Sequence, residues 1–139
     1  MIVGIGIGIF IVNMLLKNPA FRVFFTEAQS IAQCQINLQE IGGGLDRYAR
    51  RNGKSPAKLS ELYPSFLETK TVLHCPDDRR SKDTVSYDYI PPAMNAPPST
   101  KVVECTRHIV VKGQPPWVIS LYKDGHVTKQ PQKTSTQQR

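Results

Sequence analysis

The side chains best suited to chemistry in this sequence are three cysteines, Cys34, Cys75 and Cys105, and three histidines, His74, His108 and His126. Cys105-Thr-Arg-His108 has the spacing of a metal-ligating pair, and His74-Cys75 offers two further donors. Together these four would form a tetrahedral zinc set if strands brought them together. Adjacent residues on a strand point to opposite faces, so His74 and Cys75 should not share one ion. No metal and no cofactor are expected on that ground. The cysteines form no CxxC and are too few for a disulfide framework. One pair with one leftover is the simplest oxidised arrangement. Cys34 falls in a helix-like segment and Cys75 and Cys105 in strand-like ones, which makes Cys75 and Cys105 the candidate pair; three buried free thiols are the alternative.

Other chemistry is less well supported. Asp77, Asp78, Asp83 and Asp88 could collect calcium, but Arg79, Arg80 and Lys82 lie among them and oppose a cation, so the segment reads as a solvated loop. Glycine-rich phosphate loops, a GxSxG elbow, an HExxH helix and a haem CxxCH are all missing. No catalytic constellation emerges, and the chain is not expected to be an enzyme. Arg47, Arg50, Arg51, Lys54 and Lys58 form a basic cluster within a net charge of +7. Such a cluster can meet lipid head groups, nucleic acid or an acidic neighbour. Aromatic interleaving is sparse, so nucleic acid is not the expected partner. A solvated helix end that complements the macrodipole accounts for the charges.

The elements that must position these residues follow from pattern. At 139 residues the chain allows one small domain with an appendage, and it excludes large barrels and doubly wound sheets. Met1 to Leu16 contains no charge. In lipid such a segment is driven into a helix despite its glycines, because the backbone must satisfy its own hydrogen bonds. Gly4 and Gly8 then share one face in a GxxxG pattern, with Ile9, Val12, Leu15 and Leu16 as further packing positions. Lys17 and Arg22 follow the run with no charge before it, which is the reverse of what an outward-facing domain prefers.

From Thr26 to Arg51 the apolar positions Ile31, Cys34, Leu38, Ile41, Leu45 and Tyr48 recur at steps of three and four, one stripe of an amphipathic helix and the expected core of a head. Gly42-Gly43-Gly44 costs about 2 to 3 kcal/mol of helix propensity, so the helix bends there or is held by packing. Asn52-Gly53 is a stop. Ser55-Pro56 reads as the start of a short helix presenting Leu59, Leu62 and Tyr63, which Pro64 ends. Beyond it, Val72 to Cys75, Val85 to Ile90, Val102 to Arg107 and Trp117 to Tyr122 alternate as strands. Lys123-Asp124-Gly125-His126 is a hairpin turn with Val127 starting the return strand. The Pro91 to Thr100 stretch is a surface loop, and residues from Thr128 onward read as a disordered tail.

An apolar N-terminal helix continued by an amphipathic one and capped by a small antiparallel sheet resembles a type IV pilin or type II secretion pseudopilin. The most specific stretch is Cys34-Gln-Ile-Asn-Leu-Gln-Glu-Ile-Gly-Gly-Gly-Leu-Asp-Arg-Tyr-Ala-Arg-Arg-Asn-Gly. It is similar to prepilin-like segments in which a cysteine and Asn-Leu precede a helix ending in tyrosine and Asn-Gly. His74-Cys75-Pro76-Asp77 is similar to that group's Cys-Pro turn, and Asp124-Gly125-His126-Val127 to its terminal hairpin. The sequence is expected to begin several residues inside the family's apolar segment.

The resemblance implies an α+β, pilin-like fold. Residues 1–25 would be a membrane or filament-core helix, 26–52 its amphipathic continuation, 53–127 the head and 128–139 the tail. It further implies a structural subunit of a filament or secretion pseudopilus, partnered by copies of itself or related subunits. The subunit would sit in the inner membrane before assembly and then in a cell-surface or periplasmic filament. The alternative is a membrane-anchored, extracytoplasmic monomeric binding module.

Overall fold

A computed structural model describes residues 17–80, 84–108 and 115–132. Helix α1 (Pro19–Asn52) is followed by two 3-10 turns (Leu59–Leu62 and Lys70–Leu73) and four strands, β1 (Asp88–Tyr89), β2 (Lys101–His108), β3 (Trp117–Tyr122) and β4 (Val127–Pro131). The sheet is antiparallel throughout, in the order β1-β2-β3-β4. The fold is therefore α+β, one long helix against one meandering sheet. Gly4, Gly8, Ile9, Val12, Leu15 and Leu16 lie outside the described residues. Among the described residues no helix is long and apolar enough to cross a membrane.

The 34 residues of α1 run about 51 Å at the usual rise. Along the three-four stripe, Ile31, Cys34, Leu38 and Ile41 are buried, while Leu45 and Tyr48 are half-buried at the margin of the head. From the sheet, Val103 pairs with Leu121 and Cys105 with Ile119, and all four are buried. The 3-10 turns close the sides with Leu59, Leu62, Val72 and Leu73.

The glycine run does not break α1. A Cβ on Gly42 would stand 3.2 Å from Leu121 Cδ1, and one on Gly44 would stand 3.2 Å from the Phe66 carbonyl and 3.3 Å from Leu67 Cδ2. The missing side chains let the sheet and the turn after Leu62 approach the helix, and that packing offsets the weak propensity. The helix ends at Asn52, where Gly53 takes a φ of +69° and donates its N–H to the Ala49 carbonyl.

Several local expectations need correction. Val72 to Cys75 is not a strand: Lys70–Leu73 is a 3-10 turn that buries Val72 and Leu73 together. A strand would have pointed these neighbours to opposite faces. The short helix after Ser55-Pro56 is a 3-10 turn entered from Lys58, and Tyr63 is exposed beyond it. Only Asp88–Tyr89 of the Val85 to Ile90 segment pairs with β2.

Thr128 to Pro131 belongs to β4, paired with β3 as far as Trp117, and not to a tail. Backbone pairing holds this edge strand although its side chains are polar, which is usual where an outer strand meets water. At the hairpin, Gly125 has a φ of +90° and donates to the Tyr122 carbonyl. The Pro91 to Thr100 loop is tied down by Lys123, whose Nζ donates to the carbonyls of Met94 at 2.8 Å and Ala96 at 2.6 Å.

Candidate metal centre

Three segments converge at one end of the core. Helix α1 contributes Ser30, Cys34 and Asn37, which its pitch places on one face. The turn after Lys70–Leu73 contributes Cys75 and Asp77, with the Asp78 N–H donating to the Cys75 carbonyl at 3.0 Å. Strand β2 contributes Cys105 and His108. On a regular strand residues three apart face opposite sides. The β2–β3 register shifts between Cys105 and His108, and this irregularity turns His108 inward to the face that Cys105 occupies.

The result is a fully buried group. Cys34, Cys75, Cys105 and His108 are each 0% exposed, and their three sulfurs and one ring nitrogen lie within 4.8 Å of one another. Cys75 Sγ is 3.4 Å from His108 Nε2. On the other side of the ring, Nδ1 forms a short hydrogen bond with Asp77 Oδ2. That same carboxylate oxygen accepts from Ser30 Oγ at 2.8 Å. Two partners therefore fix Asp77, and Asp77 fixes the imidazole with Nε2 turned to the sulfurs. The expected Cys75–Cys105 bridge is not formed: all three thiols are free and buried.

The clustered thiols and the imidazole shift one another's proton affinities. Hydrogen bonds from Cys105 and Cys34 hold the Cys75 thiol far below its usual range, against the opposing effect of burial. Cys34 is pushed strongly upward by Cys105, by Cys75 and by burial. Burial alone would lower the His108 value, but Cys105 and Cys75 outweigh it and bring it up to about 10. Burial, then Asp77, raises the Glu27 carboxyl, which His108 opposes. Glu27 Oε2 is buried without a hydrogen-bond partner among the described residues.

The residues around the group are held by their own contacts. Asn37 Nδ2 donates to the His74 carbonyl at 3.1 Å and to Tyr87 Oη at 3.2 Å, and Gln33 Nε2 donates to Asn37 Oδ1 at 3.0 Å. Burial pushes the Tyr87 hydroxyl upward. His74 is not part of the group. Its Nδ1 lies 3.1 Å from both the Thr84 carbonyl and Ser86 Oγ, and its Nε2 lies 3.1 Å from the Asp78 carbonyl. Asp78 is bound by Arg80, through Nη2 at 2.6 Å and Nε at 3.0 Å, and this pairing pulls its carboxyl well below the usual range.

Asp77 and Asp78 are thus committed to His108 and Arg80 and do not gather as a calcium set. The basic residues lie elsewhere: Arg47 Nη2 donates to the Phe66 carbonyl at 2.7 Å, and Arg50 pairs with Asp46 at 2.9 Å on the exposed helix face.

Sequence reasoning weighed Cys75, Cys105 and His108 as zinc ligands together with His74 and set that site aside, and it placed Cys34 in the helix stripe as the leftover cysteine. The available signal was a cysteine at a stripe position otherwise filled by Leu and Ile. Comparison with protein-family models, curated proteins and solved structures finds no match to this chain.

Proposed function

We propose that this chain is a structural subunit of a pilin-like filament or secretion pseudopilus, assembling through its N-terminal apolar segment. The observation that carries the reading is the uneven clothing of α1. From Ser30 onward the helix is clamped by the sheet and the 3-10 turns, whereas from Pro19 to Gln29 the described side chains are exposed or half-buried, Glu27 Oε2 being a buried atom among them. That free stretch exposes Val23 at 58% and Phe25 at 51%. Lys17 and Asn18 separate it from Met1 to Leu16, which is apolar but for glycine and Asn13.

An apolar segment in the sequence beside an exposed stretch of helix calls for cover from lipid or from other helices. Burying even eight of the large side chains in Met1 to Leu16 is worth on the order of 12 kcal/mol or more, enough to drive assembly. A head that grips only the distal part of the helix leaves the proximal part free for neighbouring subunits.

Electron microscopy of cells expressing the full chain, with immunogold labelling, tests this reading. Filaments containing the chain are expected, together with monomers by light scattering after deletion of residues 1–25. A deleted chain that forms the same oligomers as the full one would refute it, as would a full chain that stays monomeric under every membrane and detergent condition.

A further inference from the structure

We propose that Cys34, Cys75, Cys105 and His108 are the four ligands of a closed, structural zinc site, with Asp77 as the positioning residue of its histidine. The donor set is the first argument: three cysteine sulfurs and one imidazole nitrogen are a standard tetrahedral zinc complement. Geometry is the second. With Zn–S near 2.3 Å and Zn–N near 2.0–2.1 Å, a tetrahedral site has ligand-to-ligand edges of roughly 3.5–3.8 Å. The Cys75 to His108 edge is 3.4 Å, and no ligand atom lies more than 4.8 Å from another. Side-chain rotation of about 1 Å on the longest edge closes the set around one ion. It leaves no room for an iron–sulfur cluster, which also calls for four cysteines in its common forms.

The third argument is the surroundings. A metal-bound histidine typically gives its other ring N–H to a carboxylate, and His108 Nδ1 does so to Asp77, itself held by Ser30. A disulfide between two of the cysteines would require neither the third sulfur nor an oriented imidazole. The irregularity in β2 that turns His108 inward would also lack a purpose.

Complete burial leaves no open coordination position, so the site is structural and not catalytic. On binding, three protons leave to solvent and the imidazole coordinates through Nε2 while keeping Nδ1–H. Because the ligands come from α1, the Cys75 turn and β2, one ion would tie the helix to both other parts of the head. The inference rests on these contacts alone and holds whether or not the chain assembles into filaments.

The full chain, refolded under reducing conditions with excess zinc chloride and then desalted, should retain one zinc per chain by plasma mass spectrometry. Its three thiols should resist alkylation until a chelator is added. Substitution of zinc by cobalt(II) should give sulfur-to-metal charge-transfer bands and the intense visible absorption of a tetrahedral site with three sulfur ligands and one nitrogen. His108→Cys should keep one metal with the spectrum moved toward that of an all-sulfur site, and His108→Ala should lose it. Asp77→Asn should keep the cobalt spectrum while zinc affinity, read by competition with a chromophoric chelator, falls about 10- to 100-fold.

A wild-type chain that holds no zinc and whose thiols react freely would overturn the proposal. So would unreduced peptides showing a disulfide among Cys34, Cys75 and Cys105, or a cobalt spectrum unchanged by Cys34→Ser. The wild-type measurements decide the matter even where a variant does not fold.

Discussion

Substituting each residue of Gly42-Gly43-Gly44 with alanine separates helix propensity from packing, because the three positions share one helix and differ in what faces them. Each Gly→Ala gains about 1 kcal/mol of helix propensity. At Gly43 the new Cβ would meet only Arg47, with Nη1 at 3.2 Å, the far end of a flexible side chain. Most of the gain should survive, less the cost of loosening the Arg47 bond to the Phe66 carbonyl. At Gly44 the Cβ would meet the Phe66 carbonyl oxygen at 3.2 Å, with Leu67 Cδ2 at 3.3 Å and Leu62 Cδ1 at 3.5 Å.

That turn cannot easily retreat from Gly44, since the Phe66 and Leu67 N–H groups both donate to the Leu62 carbonyl, at 2.7 and 3.1 Å. Overpacking of this kind costs about 1–3 kcal/mol and outweighs the propensity gain. Gly42→Ala should fall between the two, because it presses on Leu121 Cδ1, a buried but mobile side-chain end. The spread between Gly43→Ala and Gly44→Ala is then about 2 kcal/mol, which corresponds to roughly 8 °C or more for a domain of this size. Thermal unfolding of the full chain and the three variants in one detergent buffer, followed by far-UV circular dichroism, gives the order directly. A Gly44→Ala variant as stable as wild type, or a Gly43→Ala variant destabilised as much as Gly44→Ala, would refute the close approach of the turn to the helix.

Three further outcomes are expected. Leu38→Asp, at a fully buried stripe position, should abolish cooperative unfolding because it buries an unpaired carboxylate, while Gln39→Asp on the exposed side should move the midpoint little. Asn37→Ala should cost about 1–3 kcal/mol in urea unfolding, since it strips the half-buried His74 carbonyl and the buried Tyr87 hydroxyl of a shared donor. Asp78→Asn should cost about 1–2 kcal/mol at neutral pH, after allowing for the half-exposed Arg80 partner. The folded-state value of Asp78 lies below its ordinary 3.8, chiefly because of Arg80. Its stabilisation is therefore complete above pH about 4 and is lost as pH falls from there through the folded value. The stability difference between Asp78→Asn and wild type should accordingly shrink on acidification; a constant difference from pH 7 down to pH 2 would contradict the pairing.

Elements set by short-range pattern were legible in the sequence. The three-four recurrence of Ile31, Cys34, Leu38 and Ile41 dictates which side of α1 is buried, because helical pitch alone decides which residues share a face. Alternation in Trp117 to Tyr122, followed by Asp124-Gly125, dictates a hairpin, since positive φ at the turn and period two in the strand are local properties. All four clustered donors stood out as chemistry-bearing residues, but only Cys75, Cys105 and His108 were weighed as zinc ligands, in a set with His74 that was then set aside; that His74 and Cys75 would not share one site was anticipated. The reason is different, because the two leave a turn and not a strand.

Tertiary structure decided the rest. Lys70–Leu73 carries strand-like residues yet coils, because burying Val72 and Leu73 together against the core outweighs local preference. Thr128 to Pro131 carries tail-like residues yet pairs, because β3 offers its backbone a partner. The Gly42-Gly43-Gly44 run weakens a helix read alone and becomes the place where sheet and turn approach it.

Cys34 joins Cys75, Cys105 and His108 although 41 and 71 positions separate it from the first two. The register irregularity in β2 that brings His108 to the same side is written in no spacing rule. Pitch and pleat act over a few residues and can be read from the chain. Which faces then meet depends on how the whole chain buries its apolar surface, and that is settled only when the elements pack.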